Sequence, residues 1–428
     1  MKRLLKPLKK IAGTHIETTF DDAFETIAQR LRQYHPDEVL VMANGRYSNE
    51  ELYLIQKLAR AGIKTNALAS SEYLLRGSDF CADKNDIVPF SELYGSSCFF
   101  CIGFDENNTS ETLKAVFQIF NDNPDVPKYF FNQSNTLHIT DFTAFFKSLN
   151  YHLIAFGKAK GKFVEGLGKN YESYKNRLLS NDFEALLKSN NLNEKAVSAF
   201  TDCLLNEKAP TIIYWEKALE EATVHEMNNL TMLIDVQVKP SSGLLGIKQN
   251  PNSQGLFDMG IFPHLSVGGN TFNAESKAEM ELLYGTKVAE TKTIDIAKRL
   301  QQKQFKAALL FGEDLTGMQN KQINESLNAM DFIALQTSAL NETAQKATVV
   351  LPQSLISESE GVFTDSARSP HRISKTQELP IALNNLQQLS RLGTYFGLSE
   401  LDTIDAVFLE YIAFFKAGCN SSQRHYFR

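Results

Sequence analysis

The sequence predicts an α/β protein with parallel sheets covered by helices, followed by an all-helical end at residues 383–416. Short apolar runs of strand length alternate along the chain with segments that repeat apolar residues at helical spacing. The 428 residues suffice for two or three domains, and 43% hydrophobic with 22% charged residues is a globular composition. No internal repeat of fixed period and no low-complexity segment interrupts this pattern.

The first predicted elements are a helix, a strand and a second helix. Residues 18–34 place apolar side chains at helical spacing, and the threonines and aspartates at their start are typical of a helix N-terminus. Residues 38–43 (EVLVMA) are a short apolar run, which predicts a strand covered on both faces. Residues 49–62 return to helical spacing, and Gly62 predicts the end of that helix.

The same alternation continues to the helical end. Strands are predicted at residues 97–104, 128–132, 211–215, 306–312, 331–336 and 348–352, and helices at about 111–120, 216–234 and 320–329. In open parallel sheets, ligands bind at the carboxyl ends of the strands. A site is therefore expected in the loops that follow these residues: Ala43, Phe104, Trp215, Gly312 and Gln336.

Charge and hydropathy exclude several classes of partner. A net charge of −6 argues against nucleic acid, because phosphate binding requires a basic field. The basic start, MKRLLKPLKKIAG, has no apolar region or cleavage site after it, and no apolar stretch is long enough to span a bilayer. We therefore expect a cytoplasmic protein without direct membrane insertion.

The cysteines are scattered and odd in number, which is typical of reduced thiols rather than a disulfide framework. They are Cys81, Cys98, Cys101, Cys203 and Cys419. The pair Cys98-x-x-Cys101 has the spacing of half a metal site, but it lies in an apolar strand, where its side chains are predicted to belong to the core.

Residues 242–263, SGLLGIKQNPNSQGLFDMGIFP, are the most informative segment, here called the amide-rich segment. Amide side chains and glycine backbone offer donors, acceptors and close approach to a large polar heterocycle. The same composition suits a crossover loop that satisfies its own backbone groups. The residues alone leave both interpretations open.

The amide-rich segment resembles a stretch of formate dehydrogenase α subunits and complex I large iron–sulfur subunits. The matching residues, in order, are Gln254, Gly255, Asp258, Met259, Gly260 and Pro263. Further blocks that are similar to this family follow one another along the chain, at residues 20–31, 44–66, 309–317 and 331–373. The chain thus resembles the molybdopterin oxidoreductases.

The resemblance implies two interleaved Rossmann-like parallel-sheet domains with a helical C-terminal end. The outer domain would combine residues 14–68 with 249–350, and residues 69–248 would form an inserted domain. Residues 351–428 would be a remnant of the family's first domain together with C-terminal helices.

Departures from the family pattern suggest a loss of chemistry. Catalytic members carry a 4Fe–4S cysteine cluster near their start and a cysteine or selenocysteine that binds molybdenum, whereas this chain has Leu74 at about the ligand's place. Ser70 and Ser71 lie nearby but at another offset. The family's active-site arginine corresponds to Lys248, which keeps the charge without the bidentate fork. We expect neither a 4Fe–4S domain nor the family's last pterin-binding domain.

Two phosphate-binding turns of the family also differ. One reads Gly103-Phe104-Asp105-Glu106, with two carboxylates, and the guanine-nucleotide turn reads Asn132-Gln133-Ser134. If a pterin binds, the resemblance implies molybdopterin guanine dinucleotide held by residues in the matching turns. These are Gly103, Lys248, Gln254, Gly255, Asp258, Gly312, Glu313 and Gln336. No catalytic residue, metal ligand or bound cofactor is expected.

These features predict a non-catalytic or cofactor-depleted subunit of a multi-subunit redox complex, similar to NADH dehydrogenase or formate dehydrogenase, with a structural role in the electron-transfer arm. The expected partners are iron–sulfur and flavin subunits. Two alternatives stay open: a pterin-binding catalytic subunit completed by other chains, as in formate or formylmethanofuran dehydrogenases, and a pterin-binding maturation factor.

Overall fold

The structure is a computed structural model that describes residues 3–77, 80, 87–105, 107, 111–132, 137–159, 168–236, 239–292 and 294–415. It divides into two compact units. The first unit contains the residues up to Leu75, Asn250–Asp365 and the residues from Pro370 onward; the second contains Arg76–Gln249 and Ser366–Ser369. Parallel sheets with packed helices confirm the predicted α/β class.

The strands, in chain order, are β1 (Leu8–Ile11), β2 (Thr14–Glu17), β3 (Val39–Ala43), β4 (Leu68–Ala69), β5 (Cys98–Ile102), β6 (Lys128–Phe130), β7 (Pro210–Trp215), β8 (Gly243–Ile247), β9 (Ala307–Phe311), β10 (Phe332–Thr337), β11 (Val349–Pro352), β12 (Gly361–Thr364) and β13 (Pro370–Ile373). The α-helices are α1 (Phe20–Leu31), α2 (Asn49–Lys57), α3 (Lys114–Asp122), α4 (Phe142–Ala155), α5 (Gly168–Leu179), α6 (Phe183–Lys188), α7 (Glu194–Asn206), α8 (Glu221–Leu233), α9 (Ser253–Asp258), α10 (Ala274–Tyr284), α11 (Ile296–Gln301), α12 (Lys321–Asn328), α13 (Glu342–Lys346), α14 (Asn385–Thr394) and α15 (Ile404–Tyr411).

The first unit is built on a seven-stranded sheet in the order β2-β1-β11-β10-β9-β3-β4. Strands β11, β10, β9, β3 and β4 pair in parallel, as the apolar runs of β3, β9, β10 and β11 predict. Every residue of β3, β9 and β10 is buried, which is the expected state of parallel strands covered on both faces. Helix α1 begins at Thr19, whose side chain accepts a hydrogen bond from the Asp22 N–H at 3.2 Å.

The second unit has a four-stranded sheet in the order β6-β5-β7-β8, and all its pairings are parallel. Helix α4 packs against α5, α6, α7 and α8, and α3 contributes to an apolar cluster with β5 and β7. Cys98 and Cys101 are buried in β5, as predicted for core residues, and burial raises the pKa of the Cys98 thiol to about 12. Cys81 and Cys419 lie outside the described residues.

The structure corrects one local prediction and adds two features that the sequence did not predict. Helix α2 does not end at Gly62, because a π-helical turn at Leu58–Ile63 continues it and Lys64 takes the left-handed conformation, with φ of 69°. A Cβ at Gly62 would lie 3.0 Å from the Cβ of Phe396, so close packing explains this glycine. Strand β8 lies inside the amide-rich segment, and the antiparallel pair β1–β2 extends one edge of the first unit's sheet.

Within the described part of the chain, no helix has both the length and the apolar character required to cross a bilayer.

Candidate functional site

Three candidate residues of the first unit, Gly312, Glu313 and Gln336, lie at or just after the carboxyl ends of the adjacent strands β9 and β10. Gln336 is on β10, and its buried side chain is hydrogen-bonded at both ends. The Tyr47 hydroxyl donates to its Oε1 at 2.8 Å, and its Nε2 donates to Oε1 of Gln388 at 2.8 Å. The amide therefore joins the loop after β3 to helix α14.

Gly312 directly follows β9 and has a left-handed backbone, with φ of 68°. A Cβ here would lie 2.9 Å from Nδ2 of Asn44 and 2.9 Å from the Tyr47 ring. The Asn44 amide donates to the Gly312 carbonyl, and the Gly312 N–H donates to the Gln336 carbonyl at 2.8 Å. Protein atoms therefore fill the space that the missing side chain leaves.

Glu313 is buried beside the next segment of the same unit, with 1% of its surface exposed. Its carboxyl group accepts hydrogen bonds from the Ser71 N–H at 3.1 Å and from the Ser71 hydroxyl. Burial raises the pKa of Glu313 to about 7, and the nearby Glu72 carboxylate acts in the same direction. Glu313 is thus a buried carboxyl group that is hydrogen-bonded to the segment containing Ser71.

The part of the amide-rich segment that follows Asn250 lies in the first unit and forms hydrogen bonds there. Gln254 Nε2 donates to Asp258 Oδ1 at 2.9 Å, one turn later along α9. Asn252 Nδ2 donates to the Tyr47 carbonyl at 2.7 Å and to Asn49 Oδ1 at 3.0 Å. A Cβ at Gly255 would meet Asn252 and Asn49 at 2.5 Å, so that glycine is required for packing.

The second unit holds Gly103 and Lys248. Gly103 is an exposed residue just after β5, and Lys248 follows β8. The Lys248 Nζ lies 2.6 Å from Glu216 Oε2, and the two side chains are 5% and 2% exposed. The guanidinium of Arg76 donates to the Glu216 main-chain carbonyl. The buried ammonium group is therefore paired with a carboxylate of its own unit.

The structure thus places six of the predicted residues in the first unit and two in the second. Sequence reasoning missed the partners Tyr47, Glu72 and Glu216. Glu216 directly follows a predicted strand, at the end where a site is expected, so its position alone could have drawn attention to it. Neither Tyr47 nor Glu72 directly follows a predicted strand, so the sequence pattern does not mark them as site residues.

Leu74, which the family resemblance puts at about the place of the molybdenum ligand, is buried in the apolar core of the first unit. Among the described residues, no group of three or more His, Cys, Asp or Glu side chains is placed to bind a metal ion. Glu106 of the first phosphate turn and Gln133 and Ser134 of the nucleotide turn lie outside the described residues.

Parallel sheets with polar loops at the strand ends define an open α/β protein, the class in which ligand sites form at the carboxyl ends of the strands. A family model described as molybdopterin oxidoreductase matches residues 3–383, so the chain belongs to that family. This confirms the resemblance drawn from the sequence blocks.

The relatives are formate dehydrogenase subunits. The chain is 27% identical over 421 residues to the F420-dependent formate dehydrogenase 2 subunit alpha of Methanococcus maripaludis, covering 88% of this chain and 60% of that one. It is 25% identical to the formate dehydrogenase 1 subunit alpha of the same organism, covering 95% and 64%. The chain therefore spans less than two thirds of these relatives' length.

A solved structure has the same fold. Acetylene hydratase from Pelobacter acetylenicus superposes with a TM-score of 0.66 at 15% identity, over 93% of this chain and 62% of that one.

The family implies a molybdopterin cofactor, and the described residues do not fit one as they stand. A pterin requires donors and acceptors that are available to it. Here the side chains of Gln254, Gln336 and Lys248 hydrogen-bond to other residues of their own units, and protein atoms occupy the space at Gly255 and Gly312. Binding would require these contacts to be exchanged.

Proposed function

We propose that the chain is a non-catalytic or cofactor-depleted subunit of a multi-subunit redox complex, formate dehydrogenase-like or NADH dehydrogenase-like, with a structural role in the electron-transfer arm. The observation that carries this proposal is the buried ion pair between Lys248 and Glu216. Lys248 occupies the position that the family resemblance gives to an active-site cation, and a carboxylate of the same chain already neutralises it.

The energetics of this pair oppose binding of an external anion. A ligand that recruited Lys248 would break an ion pair in which Nζ lies 2.6 Å from the buried Glu216 carboxylate. Leaving one partner of a buried pair uncompensated costs about 3–5 kcal/mol. A single charge-assisted hydrogen bond to the new ligand contributes only about 1.5–3 kcal/mol. The internal pair is therefore the favoured state.

Partner subunits are part of the proposal. The relatives are named as alpha subunits, which is a statement about those proteins. In this chain, helix α15 and the turn after it expose four large apolar side chains, at 37–70% of their surface. They are Phe408, Leu409, Ile412 and Phe415. Contiguous exposed apolar surface is typical of protein interfaces, and we expect iron–sulfur or flavin subunits as the partners.

The similarity to formate dehydrogenase subunits favours a second candidate function. In that case the chain would be part of a catalytic subunit that other chains complete. That function requires a molybdenum ligand, whereas Leu74 is packed in the core and the Ser70 and Ser71 side chains bind Glu313. The two functions differ in metal content. A pterin-binding maturation factor would contain pterin without a permanent complex.

The test is elemental and pterin analysis of the native complex purified through this chain. We expect molybdenum, tungsten and pterin far below one equivalent per copy of the chain, because a core leucine, Leu74, stands at about the place of the molybdenum ligand. Stoichiometric molybdenum or tungsten would overturn the proposal in favour of the catalytic subunit. Pterin on a free monomeric chain would favour the maturation factor.

Paired variants within the same complex test the amide-rich segment. Gln254→Ala combined with Asp258→Ala removes a buried hydrogen bond, so it should lower the unfolding midpoint. The activity of the complex per folded molecule should stay unchanged. The matched control is Gln29→Ala, since Gln29 makes an exposed helix-surface bond to Glu25. Activity that falls while the melting temperature holds would contradict a structural role for the segment.

A further inference from the structure

The chain leaves the first unit after Leu75 and returns to it at Asn250. Residues 70–75, here called the outgoing segment, precede the departure, and residues 250–253, the returning segment, follow the return. Each segment carries polar side chains within the first unit. Two buried carboxyl groups connect these segments to the rest of that unit.

Glu72 joins the two segments to each other. It belongs to the outgoing segment and is 5% exposed. Its Oε1 accepts a hydrogen bond from Nδ2 of Asn250 at 2.8 Å, and its Oε2 accepts one from the Ser253 hydroxyl. The Gly45 N–H, in the loop after β3, also donates to Oε1 at 2.6 Å. The Glu72 carboxylate thus links the outgoing segment to the returning segment and to the loop after β3.

Glu313, in the loop after β9, also contacts the outgoing segment. It follows β9 through Gly312, and its carboxyl group accepts from the Ser71 N–H at 3.1 Å, from the Ser71 hydroxyl and from the Ser70 hydroxyl at 3.5 Å. Both carboxyl groups therefore act on adjacent residues of one short segment, and both are buried.

Two buried carboxyl groups so placed repel one another when both are ionised. The titratable groups that face Glu313 are Glu72 on the outgoing segment and Tyr47 on the loop after β3. Burial is the main cause that raises the pKa of Glu313 to about 7, and the charge of Glu72 adds to it. The serine donors act in the opposite direction by stabilising the carboxylate.

We propose that Glu72 and Glu313 form a proton-dependent clasp that holds the outgoing and returning segments together. The clasp is tight when Glu313 carries its proton and looser when both groups are ionised. This inference does not depend on the presence or absence of a cofactor, so it stands apart from the proposed function.

Linkage gives the direction and the pH window. The native pKa of Glu313 is raised to about 7 from an ordinary value of 4.5. Native contacts of Glu313 are therefore fully stabilising below about pH 4.5, and that stabilisation is lost as the pH rises to about 7. Across this window, opening releases one proton from Glu313, so the opening constant should rise about ten-fold per pH unit. Above pH 7 it should level off.

Hydrogen exchange of the full chain, followed by mass spectrometry from pH 4.5 to 8.5 and corrected for intrinsic exchange rates, measures this opening. Peptides that contain residues 70–75 and 250–253 should lose protection together up to about pH 7 and then show a plateau. Corrected protection that stays constant across the range in the unsubstituted chain overturns the proposal, and this result needs no variant to fold.

Two variants test whether Glu313 causes the pH dependence of hydrogen exchange. Glu313→Gln keeps the size and an acceptor oxygen but cannot ionise, so both peptides should become independent of pH. The matched control is Glu51→Gln. Burial also raises the pKa of Glu51 to about 7, but Glu51 caps helix α2 by accepting from the Ser48 N–H. The control should leave the pH response of both segments intact. Loss of the response in Glu51→Gln as well would show a general effect of buried carboxyl groups and overturn the clasp.

Discussion

At the scale of single residues, the candidate site is defined by which polar groups already have partners. Lys248 keeps the positive charge that the family pattern places there, yet its Nζ lies 2.6 Å from a carboxylate that is almost fully buried. Breaking a buried pair by removing one partner is costly, because the other charge stays buried. Whether the Lys248 ammonium group can bind a ligand therefore depends on its ion pair with Glu216 and not on its positive charge alone.

Substitution of this lysine measures the strength of the pair. Lys248→Met should lower the free energy of unfolding of the second unit by about 3–5 kcal/mol, because Glu216 stays buried without its counter-ion. Adding Glu216→Leu should restore most of that loss, since an apolar pair of similar volume is tolerated. The measurement is urea unfolding followed by the fluorescence of Trp215, the single tryptophan, which directly precedes Glu216.

The control for this experiment is a second buried lysine pair. Lys57 Nζ lies 2.6 Å from Glu410 Oε1 in the first unit, so Lys57→Met should destabilise that unit without changing the Trp215 transition. If Lys248→Met unfolded at the same urea concentration as the unsubstituted chain, the pair would not contribute to stability and the argument from its cost would fail.

At the scale of elements, one buried arginine connects helix α2 to the end of the amide-rich segment. Arg60 lies in the π-helical turn after α2 and is fully buried. Its Nε donates to Asn66 Oδ1 at 2.9 Å, its Nη2 donates to the Phe262 carbonyl at 3.0 Å, and its guanidinium lies 4.2 Å from the Phe272 ring centroid. Burial lowers its pKa to about 9.

Arg60→Lys should therefore destabilise the first unit despite keeping the charge. The ammonium group cannot reproduce two fixed donors and a flat contact with the ring, and we expect a loss of about 3 kcal/mol. Calorimetric melting measures the effect. Arg32→Lys is the comparison, because Arg32 is exposed and its replacement should change stability by less than about 0.5 kcal/mol. Equal melting temperatures for the two variants would contradict the role assigned to Arg60.

The elements also show what the sequence could predict. The strands β3, β9, β10 and β11 are apolar apart from Gln336 and Thr337 at the end of β10, so their burial could be predicted from composition. Strands β1 and β2 were missed, because LKKI and THIE are short, mixed sequences at an edge of the sheet. Strand β8, GLLGI, was also missed, because its two glycines are unfavourable in strands.

The sequence allowed prediction of which residues belong to the candidate site, but not of the residues with which they form hydrogen bonds. Local pattern located the turns, so Gly312 and Gln336 lie at or beside strand ends, as expected. Their contacts come from distant parts of the sequence: Tyr47 precedes its partner Gln336 by 289 residues. Helical and strand periodicity report the face on which a residue lies, and they do not report pairings over such separations.

At the scale of the whole molecule, the two units contain buried titratable groups with opposite pH responses. Burial raises the pKa values of Glu50, Glu51 and Glu313 in the first unit, and those of Glu51 and Glu313 reach about 7. In the second unit, His152 is 2% exposed, and among the described residues neither of its ring nitrogens has a hydrogen-bond partner. Burial, with Lys158 nearby, lowers the pKa of His152.

Stability of the two units should therefore change in opposite directions with pH. Carboxyl groups with raised native pKa values stabilise fully below about pH 4.5, and their contribution is lost as the pH rises to about 7. A histidine with a lowered native pKa instead destabilises as the pH falls below its ordinary value of 6.5, because the unfolded chain then binds the proton first. Each group changes the unfolding free energy by up to about 1.4 kcal/mol per pH unit within its window.

Urea unfolding between pH 4.5 and 8 tests this, with Trp215 fluorescence reporting the second unit and hydrogen exchange of β9 and β10 reporting the first. Raising the pH from 4.5 to 7 should lower the midpoint of the first unit and raise that of the second. Glu313→Gln should weaken the pH dependence of the first curve only, because Glu50 and Glu51 still titrate there, and His152→Leu should flatten only the second. If both curves shifted in the same direction in the unsubstituted chain, the buried groups would not set the pH response, and net charge would be the better explanation.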